Sequence, residues 1–411
     1  MAIETNRALV TLNETIARQY ESVALVLQGG GALGSYQAGV YEGLAEADIH
    51  PNWVAGISIG ALNTAIIAGN APEARVDALK QFWTAICQPA SALNFWPSEF
   101  ESRLFEISDA YRQAFAAWYS TRALLEGQSG FFAPRFPQPL GPWARQVIEA
   151  SHYDTSALRS TLTRFADFDR INRGGMRVCV GAVNVATGNL TFFDNKDITL
   201  RPEHFMASGA LPPGFPAVEV DGEFYWDGGL VSNTPLSEVL GQIPRRDTLA
   251  FQVDLWSARG ELPANMEQVD GRTKDIQYSS RTRAVTHHVR HDQLLRRTLR
   301  EVLRHVSAEA LQSDPWCKIA ALMSTDKRYN VVQLIYRDKP YENHFKDFQF
   351  GYNTMLDHWS SGLADIRETC THPEWFDLPQ NEAGFASRDV HAPSSSDRLG
   401  PKTGSEHEAG I

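Results

Sequence analysis

The chain of 411 residues has few cysteines, no long hydrophobic run and no excess of positive charge. Its four cysteines show neither a CxxC motif nor a Cys/His spacing, which argues against a disulfide framework and against a zinc site. No uninterrupted apolar run reaches the roughly 20 residues that a membrane-spanning helix needs. The formal net charge of -11 argues against a dedicated nucleic-acid-binding protein, because such a protein needs a dominant basic surface.

What is present is the composition of a globular protein, with 43% hydrophobic and 21% charged residues. At about 150 residues per domain, this length allows two or three domains. The N-terminal leader at 1–21 is polar and lacks the apolar core of a secretory signal. From 387 to 411 the chain is rich in serine, proline, glycine and charge, which predicts a disordered tail. We therefore expect a cytoplasmic protein.

Apolar runs and glycines alternate over the first seventy residues in a strand, helix, strand, helix order. Residues 22–28 form a β-branched apolar run that three glycines stop, and helical spacing follows over 35–47. A second strand is predicted at 53–57 and a second helix at 61–68. This order is typical of an α/β sheet with right-handed crossovers. Further strands are predicted at 176–185, 190–193, 218–226, 248–255 and 330–336.

Two regions depart from this α/β pattern. Residues 90–143 are crowded with aromatic side chains and closed by four prolines, which predicts a helical insertion. The insertion fits either a lid over a binding pocket or a subdomain packed on the edge of the sheet. Residues 256–386 form a second region, whose segment 271–310 holds nine Lys/Arg against four Asp/Glu. That basic segment fits docking on an anionic membrane, although a solvated surface helix is the simpler interpretation.

The motif Gly56-Ile57-Ser58-Ile59-Gly60 lies between the second predicted strand and the second predicted helix. A G-x-S-x-G motif in this position is typical of a nucleophile elbow, where the serine takes a strained backbone conformation. The glycines two residues away on each side then avoid a collision. The alternative is that Ser58 caps the helix and the glycines only permit close packing.

A glycine-rich turn, Gly29-Gly30-Gly31-Ala32-Leu33-Gly34, directly follows the first predicted strand. It satisfies the G-x-G-x-x-G pattern of dinucleotide-binding folds, but such a fold also needs an acidic residue after the next strand, which here ends in Gly56-Ile57-Ser58. No Lys-Ser/Thr pair follows, so a P-loop is also excluded. Consecutive glycines instead allow backbone N–H groups to converge on an oxyanion. A tight turn with close helix packing remains the alternative.

A serine nucleophile needs a base at neutral pH. Asp227 ends a predicted hairpin strand and precedes two glycines that give backbone access. To act as a base it would need a desolvated site and a direct hydrogen bond with Ser58. The nearest plausible histidine is His204, which would make a triad instead of a dyad. A plain Asp-Gly turn without a catalytic role is the other interpretation.

Taken in this order, the glycine loop, the serine motif and the Asp-Gly-Gly motif resemble those of the patatin family of lipid acyl hydrolases. The segments 207–212 and 233–235 are also similar to the surroundings of these motifs in that family. The resemblance covers about 22–255 and implies a three-layer α/β sheet flanked by helices. Residues 256–386 resemble an uncharacterised α+β C-terminal extension of some bacterial patatin-like proteins.

The resemblance also implies roles for individual residues. Ser58 would be the nucleophile and Asp227 the base of a dyad without histidine. The N–H groups of Gly30, Gly31 and Ile59 would form the oxyanion hole. The remaining motif glycines are Gly29, Gly34, Gly56, Gly60, Gly228 and Gly229.

The function that the resemblance implies is hydrolysis of carboxylic esters of lipids, of phospholipase A or lipase type, through an acyl-enzyme. It implies no cofactor and no metal, and its partners would be a lipid or another acyl ester and, peripherally, a membrane, but no nucleic acid. Leu33 stands where the family usually has Arg or Lys. Without that cation, neutral esters are possible substrates as well as phospholipids. The alternatives are a hydrolase of an intracellular polyester or thioester and a non-catalytic lipid-binding protein.

Overall fold

The computed structural model describes residues 12–87, 98–137, 146–342 and 344–391, without the side chains of 98–100 and 280–283. Parts of the predicted leader, insertion and tail therefore lie outside the described residues. None of the described helices combines the length and the apolar character needed to span a membrane.

A nine-stranded sheet runs through the centre of the molecule. Its strands are β1 (Ser22–Leu27), β2 (Trp53–Gly56), β5 (Arg177–Asn184), β6 (Leu190–Asp194), β7 (Val218–Val220), β8 (Glu223–Asp227), β9 (Thr248–Asp254), β10 (Tyr329–Ile335) and β11 (Phe385–Asp389), and a separate pair is formed by β3 (Ala133–Pro134) and β4 (Tyr153–Asp154). Six strands are parallel, in the order β11, β10, β9, β1, β2, β5. Strands β6 and β8 pair antiparallel with β5, and β7 pairs antiparallel with β8.

Helices cover both faces of this sheet. They are α1 over 12–19, α2 (Gly34–Glu46), α3 (Ile59–Ala68), α4 (Arg75–Cys87), α5 (Ser98–Ile107), α6 (Asp109–Glu126), α7 (Ser156–Phe165), α8 (Phe168–Arg173), α9 (Pro202–Ser208), α10 (Leu236–Gly241), α11 (Met266–Leu303), α12 (Ala308–Ser313), α13 (Pro315–Met323) and α14 (Tyr352–Cys370). Alternation along β1 sends Leu25 and Leu27 into a core shared with α2, α3, α4 and α14, and sends Ala24 and Val26 into a second core under α10. The predicted three-layer α/β arrangement is confirmed.

The sheet continues across the boundary predicted at 255/256. β10 pairs in parallel with β9 along its whole length, and β11 pairs with β10 at the edge. α14 packs along α2 so closely that a Cβ on Gly39 would overlap the backbone carbonyl of Trp359. The C-terminal region thus completes both the sheet and one helical layer. Because Ser387 lies within β11, the ordered chain extends beyond the tail boundary predicted at 387.

The basic segment predicted at 271–310 forms most of α11 and its C-terminal flank. Its described cations include several that bond within the protein: Arg272 donates to the Ser257 carbonyl at 3.2 Å, and Arg297 donates to the Glu382 carbonyl at 2.9 Å. Lys274 donates to the Asp347 carboxylate at 2.9 Å. These contacts fix α11 to its neighbours, whereas docking of this helix on a membrane stays a prediction.

Candidate active site

Ser58 lies at the turn between β2, which ends at Gly56, and α3, which begins at Ile59. Its backbone has φ 56° and ψ -126°, a conformation that is strained for a residue with a side chain. It occupies the N-cap position of α3, yet its side chain makes no capping hydrogen bond. Ser58 therefore lies at the cap position of α3 without capping the helix through its side chain.

Both glycines of the serine motif are required by close backbone approach. A Cβ on Gly56 would lie 2.6 Å from the Thr64 hydroxyl oxygen, and a Cβ on Gly60 would lie 2.9 Å from the Gln28 carbonyl oxygen. These separations are shorter than van der Waals contact, so a side chain at either position would push α3 away from the sheet. The motif thus holds Ser58 at the carboxyl end of β2.

Strand register brings Asp227 to the same place. In β5, Val180 pairs with Gly56 of β2, and Ala182 pairs with Asp227 of β8. Both β5 residues also pair with β6, which takes up the opposite edge of β5. β2 and β8 therefore share one edge of β5, and β8 continues where β2 stops. Asp227 then lies beside the turn that carries Ser58.

The Ser58 hydroxyl lies close to the Asp227 carboxylate, where it favours the charged form of that carboxyl. Asp227 is 1% exposed, and its carboxylate accepts the Gly229 N–H at 2.7 Å. Burial raises the pKa of Asp227 to about 7, although the nearby Ser58 hydroxyl and the Gly229 N–H oppose that rise because they favour the charged form. The carboxyl can therefore exchange a proton near neutral pH.

His204 does not join this pair. Its side chain is buried, its ring packs on Phe193 with centroids 4.7 Å apart, and its Nδ1 accepts the Arg201 N–H at 2.9 Å. No hydrogen bond joins His204 to Ser58 among the described residues. Within the residues that the structure describes, no group of three or more His, Cys, Asp or Glu side chains could hold a metal ion.

The glycine loop, defined as Gly29–Gly31, passes directly in front of Ser58. A Cβ on Gly29 would lie 2.8 Å from the Ser58 Cβ, so only glycine allows this approach. The N–H groups of Gly30, Gly31 and Ile59 donate no hydrogen bond to any described residue. All three predicted oxyanion donors therefore remain available to a bound ligand.

Three residues that were not predicted as site residues support this arrangement. The Ser58 N–H donates to the carbonyl and the hydroxyl oxygen of Ser208, each at 3.1 Å. The Gly29 carbonyl accepts the Asn233 amide at 3.0 Å and the Trp256 indole N–H at 2.8 Å. Ser208 and Asn233 lie in segments that the sequence resemblance already marked, whereas nothing in the sequence marked Trp256.

The aromatic insertion packs on the rest of the protein through buried side chains. Phe131 and Phe132 are almost fully buried, and they contact Phe215 and Phe350 with ring centroids 5.1 to 6.2 Å apart. Trp118 on α6 is 45% exposed. The helical character of the insertion is confirmed by α5 and α6, and its role as a lid stays a prediction.

Leu33 is fully buried in the main apolar core. An arginine there would bring an unpaired charge into apolar surroundings, which is costly. Leu33 is thus a core residue in this chain, and head-group preference has to be sought at other positions.

The three-layer α/β fold thus places a serine at a strained strand-to-helix turn, close to a buried carboxylate. A family model described as patatin-like phospholipase matches residues 25–240, which is more than half of the chain. A second model, described as patatin phospholipase, matches residues 276–382. The chain belongs to the patatin-like phospholipase family, as the sequence motifs predicted. Membership supports lipid acyl hydrolase activity in general.

Among solved structures, the chain is similar to VipD from Legionella pneumophila. The two chains share 15% sequence identity with a TM-score of 0.34, and the match covers 83% of this chain and 67% of VipD. A search of curated proteins gave no match.

Proposed function

We propose that this protein hydrolyses carboxylic esters of lipids, as a phospholipase A or a lipase, through a Ser58–Asp227 dyad and an acyl-enzyme. The observation that carries the proposal is the close approach of the Ser58 hydroxyl to the buried Asp227 carboxylate. The strained turn at Ser58 supports it, because strain of this kind is typical of nucleophile elbows.

In the acylation step, ionised Asp227 accepts the hydroxyl proton while the Ser58 oxygen bonds to the ester carbonyl carbon. The carbonyl electron pair moves to its oxygen, and the N–H groups of Gly30, Gly31 and Ile59 stabilise the resulting oxyanion. The partial positive charge at the N-terminus of α3 acts in the same direction. Collapse of the intermediate expels the alcohol, which takes the proton from Asp227.

Deacylation repeats these events with water as the nucleophile. Asp227 accepts a proton from water, and the hydroxide oxygen attacks the acyl carbon. The same three N–H groups stabilise the second oxyanion, and Ser58 leaves with the proton returned by Asp227. A base with a pKa of about 7 suits both steps, because it is ionised near neutral pH and yet basic enough to accept a proton.

We also propose that the carboxyl edge of the sheet meets lipid directly. Leu230 and Val231 follow the Asp227-Gly228-Gly229 turn, and they are 37% and 43% exposed. Apolar side chains beside the site favour the acyl chain of a lipid or the surface of a membrane. A cytoplasmic location with peripheral membrane contact remains part of this proposal.

Labelling with a fluorophosphonate tests the nucleophile. We expect wild type and Ser160→Ala, which changes an exposed serine on α7, to react equally, whereas Ser58→Ala should not react. Ester hydrolysis should fall at least about 10³-fold in Ser58→Ala and in Asp227→Asn, with melting temperatures close to wild type. Equal loss in His204→Ala with a mild effect of Asp227→Asn would establish a triad instead.

A substrate panel then separates the alternatives. Phospholipids, glycerides, hydroxyalkanoate oligomers and acyl thioesters should be compared by kcat/KM with the same enzyme preparation. Preference for phospholipids or glycerides supports the proposal, and preference for the oligomers or thioesters would replace it. Lipid binding without turnover of any member would indicate the non-catalytic alternative.

A further inference from the structure

We propose that Lys346 is a positioning residue for the glycine loop, so that the C-terminal region forms part of the active site. The inference rests on the proposed function, because it concerns the loop whose N–H groups bind the oxyanion. Neither family match assigns a role to residues 276–382 beyond the family description.

One wall of the glycine loop is the end of β9. The Trp256 indole N–H donates to the Gly29 carbonyl at 2.8 Å. A Cβ on Gly30 would lie 2.8 Å from the Leu255 Cδ1 atom, so the loop lies against this wall without a gap. Residues just beyond the strand thus fix the loop from one side.

The other wall is the short turn Lys346–Phe348 of the C-terminal region. A Cβ on Gly31 would overlap the backbone carbonyl of Asp347. Gly31 has φ 57°, a left-handed conformation that glycine adopts easily. The position of Asp347 therefore limits where the Gly31 backbone, and with it the Gly31 N–H, can lie.

Lys346 fixes this second wall through two ion pairs, one of them buried. Its side chain is 3% exposed, and its ammonium donates to Asp275 on α11 at 2.7 Å and to Asp338 after β10 at 2.6 Å. Lys274 reinforces the same turn, because it bonds the Asp347 carboxylate and the His344 carbonyl, each at 2.9 Å. The turn is thereby tied to two separate elements of the C-terminal region.

Lys346 also reaches the first wall. Its ammonium lies 5.0 Å from the centroid of the Trp256 ring, within the range of a cation–π contact. One buried cation thus contacts the indole that bonds Gly29 and belongs to the turn that presses on Gly31. Loss of this cation should widen the space around the glycine loop.

An oxyanion hole acts in the transition state, so a misplaced loop should lower kcat and leave substrate binding intact. A displacement of about 1 Å in a catalytic group can lower the rate about 100-fold. We expect Lys346→Met to lower kcat about 10- to 100-fold on a soluble short-chain ester, with KM within about twofold of wild type. Amide hydrogen exchange should become faster in peptides that cover residues 29–34.

Arg297→Met is the matched control. Arg297 ties α11 to the carbonyls of Asp326 and Glu382. These two residues precede the amino ends of β10 and β11, whereas Ser58 follows the carboxyl end of β2. This variant removes a comparable set of hydrogen bonds, so amide hydrogen exchange should become faster near residues 326 and 382. We expect kcat, and hydrogen exchange at residues 29–34, to remain unchanged. An equal fall in kcat in both variants would show a general loss of stability and would overturn the proposal.

Asp338→Asn provides a milder variant should Lys346→Met not fold, because Asp338 is 42% exposed. We expect the same pattern with a smaller amplitude. If these variants kept the wild-type kcat and unchanged hydrogen exchange at residues 29–34, the inference would be overturned. The proposed function is tested separately, by Ser58→Ala. If wild type hydrolyses no ester, the exchange data alone decide whether Lys346 positions the loop.

Discussion

At the scale of single residues, the environment of Asp227 predicts how activity depends on pH. Burial raises its pKa to about 7, and only the ionised form can accept the Ser58 proton. We expect kcat/KM to rise with pH through about 7 and then level off, measured on a soluble ester. Full activity at about pH 5 would mean that the base titrates like an ordinary exposed carboxyl.

Asp254 is a second buried carboxyl, at the end of β9, and burial raises its pKa to about 7 as well. Since this pKa lies above that of the unfolded chain, the folded protein binds more protons between about pH 4 and pH 7. The contribution of Asp254 to the free energy of unfolding is therefore greatest at acid pH and falls as pH rises through about 7.

We expect Asp254→Asn to flatten the decline in unfolding free energy between about pH 5 and pH 8, because the amide does not titrate. Urea unfolding at both pH values measures this slope. Asp227→Asn serves as the comparison, since Asp227 should contribute a similar slope. A slope identical to wild type in Asp254→Asn would show that Asp254 is already ionised at the lower pH.

At the scale of secondary-structure elements, the contact between α2 and α14 joins the serine-bearing part of the chain to the C-terminal region. Gly39 on α2 faces the Trp359 backbone, and Gly362 on α14 faces the Tyr36 backbone, each without room for a Cβ. Such contact allows the two helices to approach at the backbone. α2 begins at Gly34, just after the glycine loop, so the same contact also supports the site.

Gly39→Ala should lower the free energy of unfolding by about 1 to 3 kcal/mol, because the added methyl group forces the two helices apart. Gly241→Ala is the control, since a Cβ at Gly241 meets no atom within 4 Å. Chemical denaturation of both variants measures the difference. Equal stability of the two would mean that α14 can shift without loss of packing.

At the scale of the whole molecule, the edge strand β11 should matter more than the chain that follows it. Removal of 385–411 deletes β11 and leaves β10 at the edge, where Val331 and Val332 lose their cover. We expect the melting temperature to fall by more than about 5 °C. Removal of 392–411 alone, a segment predicted as disordered from its composition, should leave it unchanged.

The sequence predicted the parts of the site that depend on local backbone geometry. Ser58 and its glycines form one turn, so their spacing alone indicates a nucleophile elbow. The meeting of Ser58 with Asp227 depends on two strands that share one edge of β5, which no local pattern reveals, and the family resemblance supplied it. Trp256 and Lys346 were missed because their contacts with the glycine loop arise only from packing between distant segments.

The parallel pairing of β1 with β9, where Ser22 meets Thr248, has a consequence for biosynthesis. At about 5 to 20 residues per second, a ribosome needs on the order of ten seconds or more between these two strands. During that interval β1 and β2 have emerged while one flank of β1 still lacks its neighbour. The nascent chain thus carries an open hydrophobic strand, and its yield in cells should depend on chaperones that bind it before translation reaches β9.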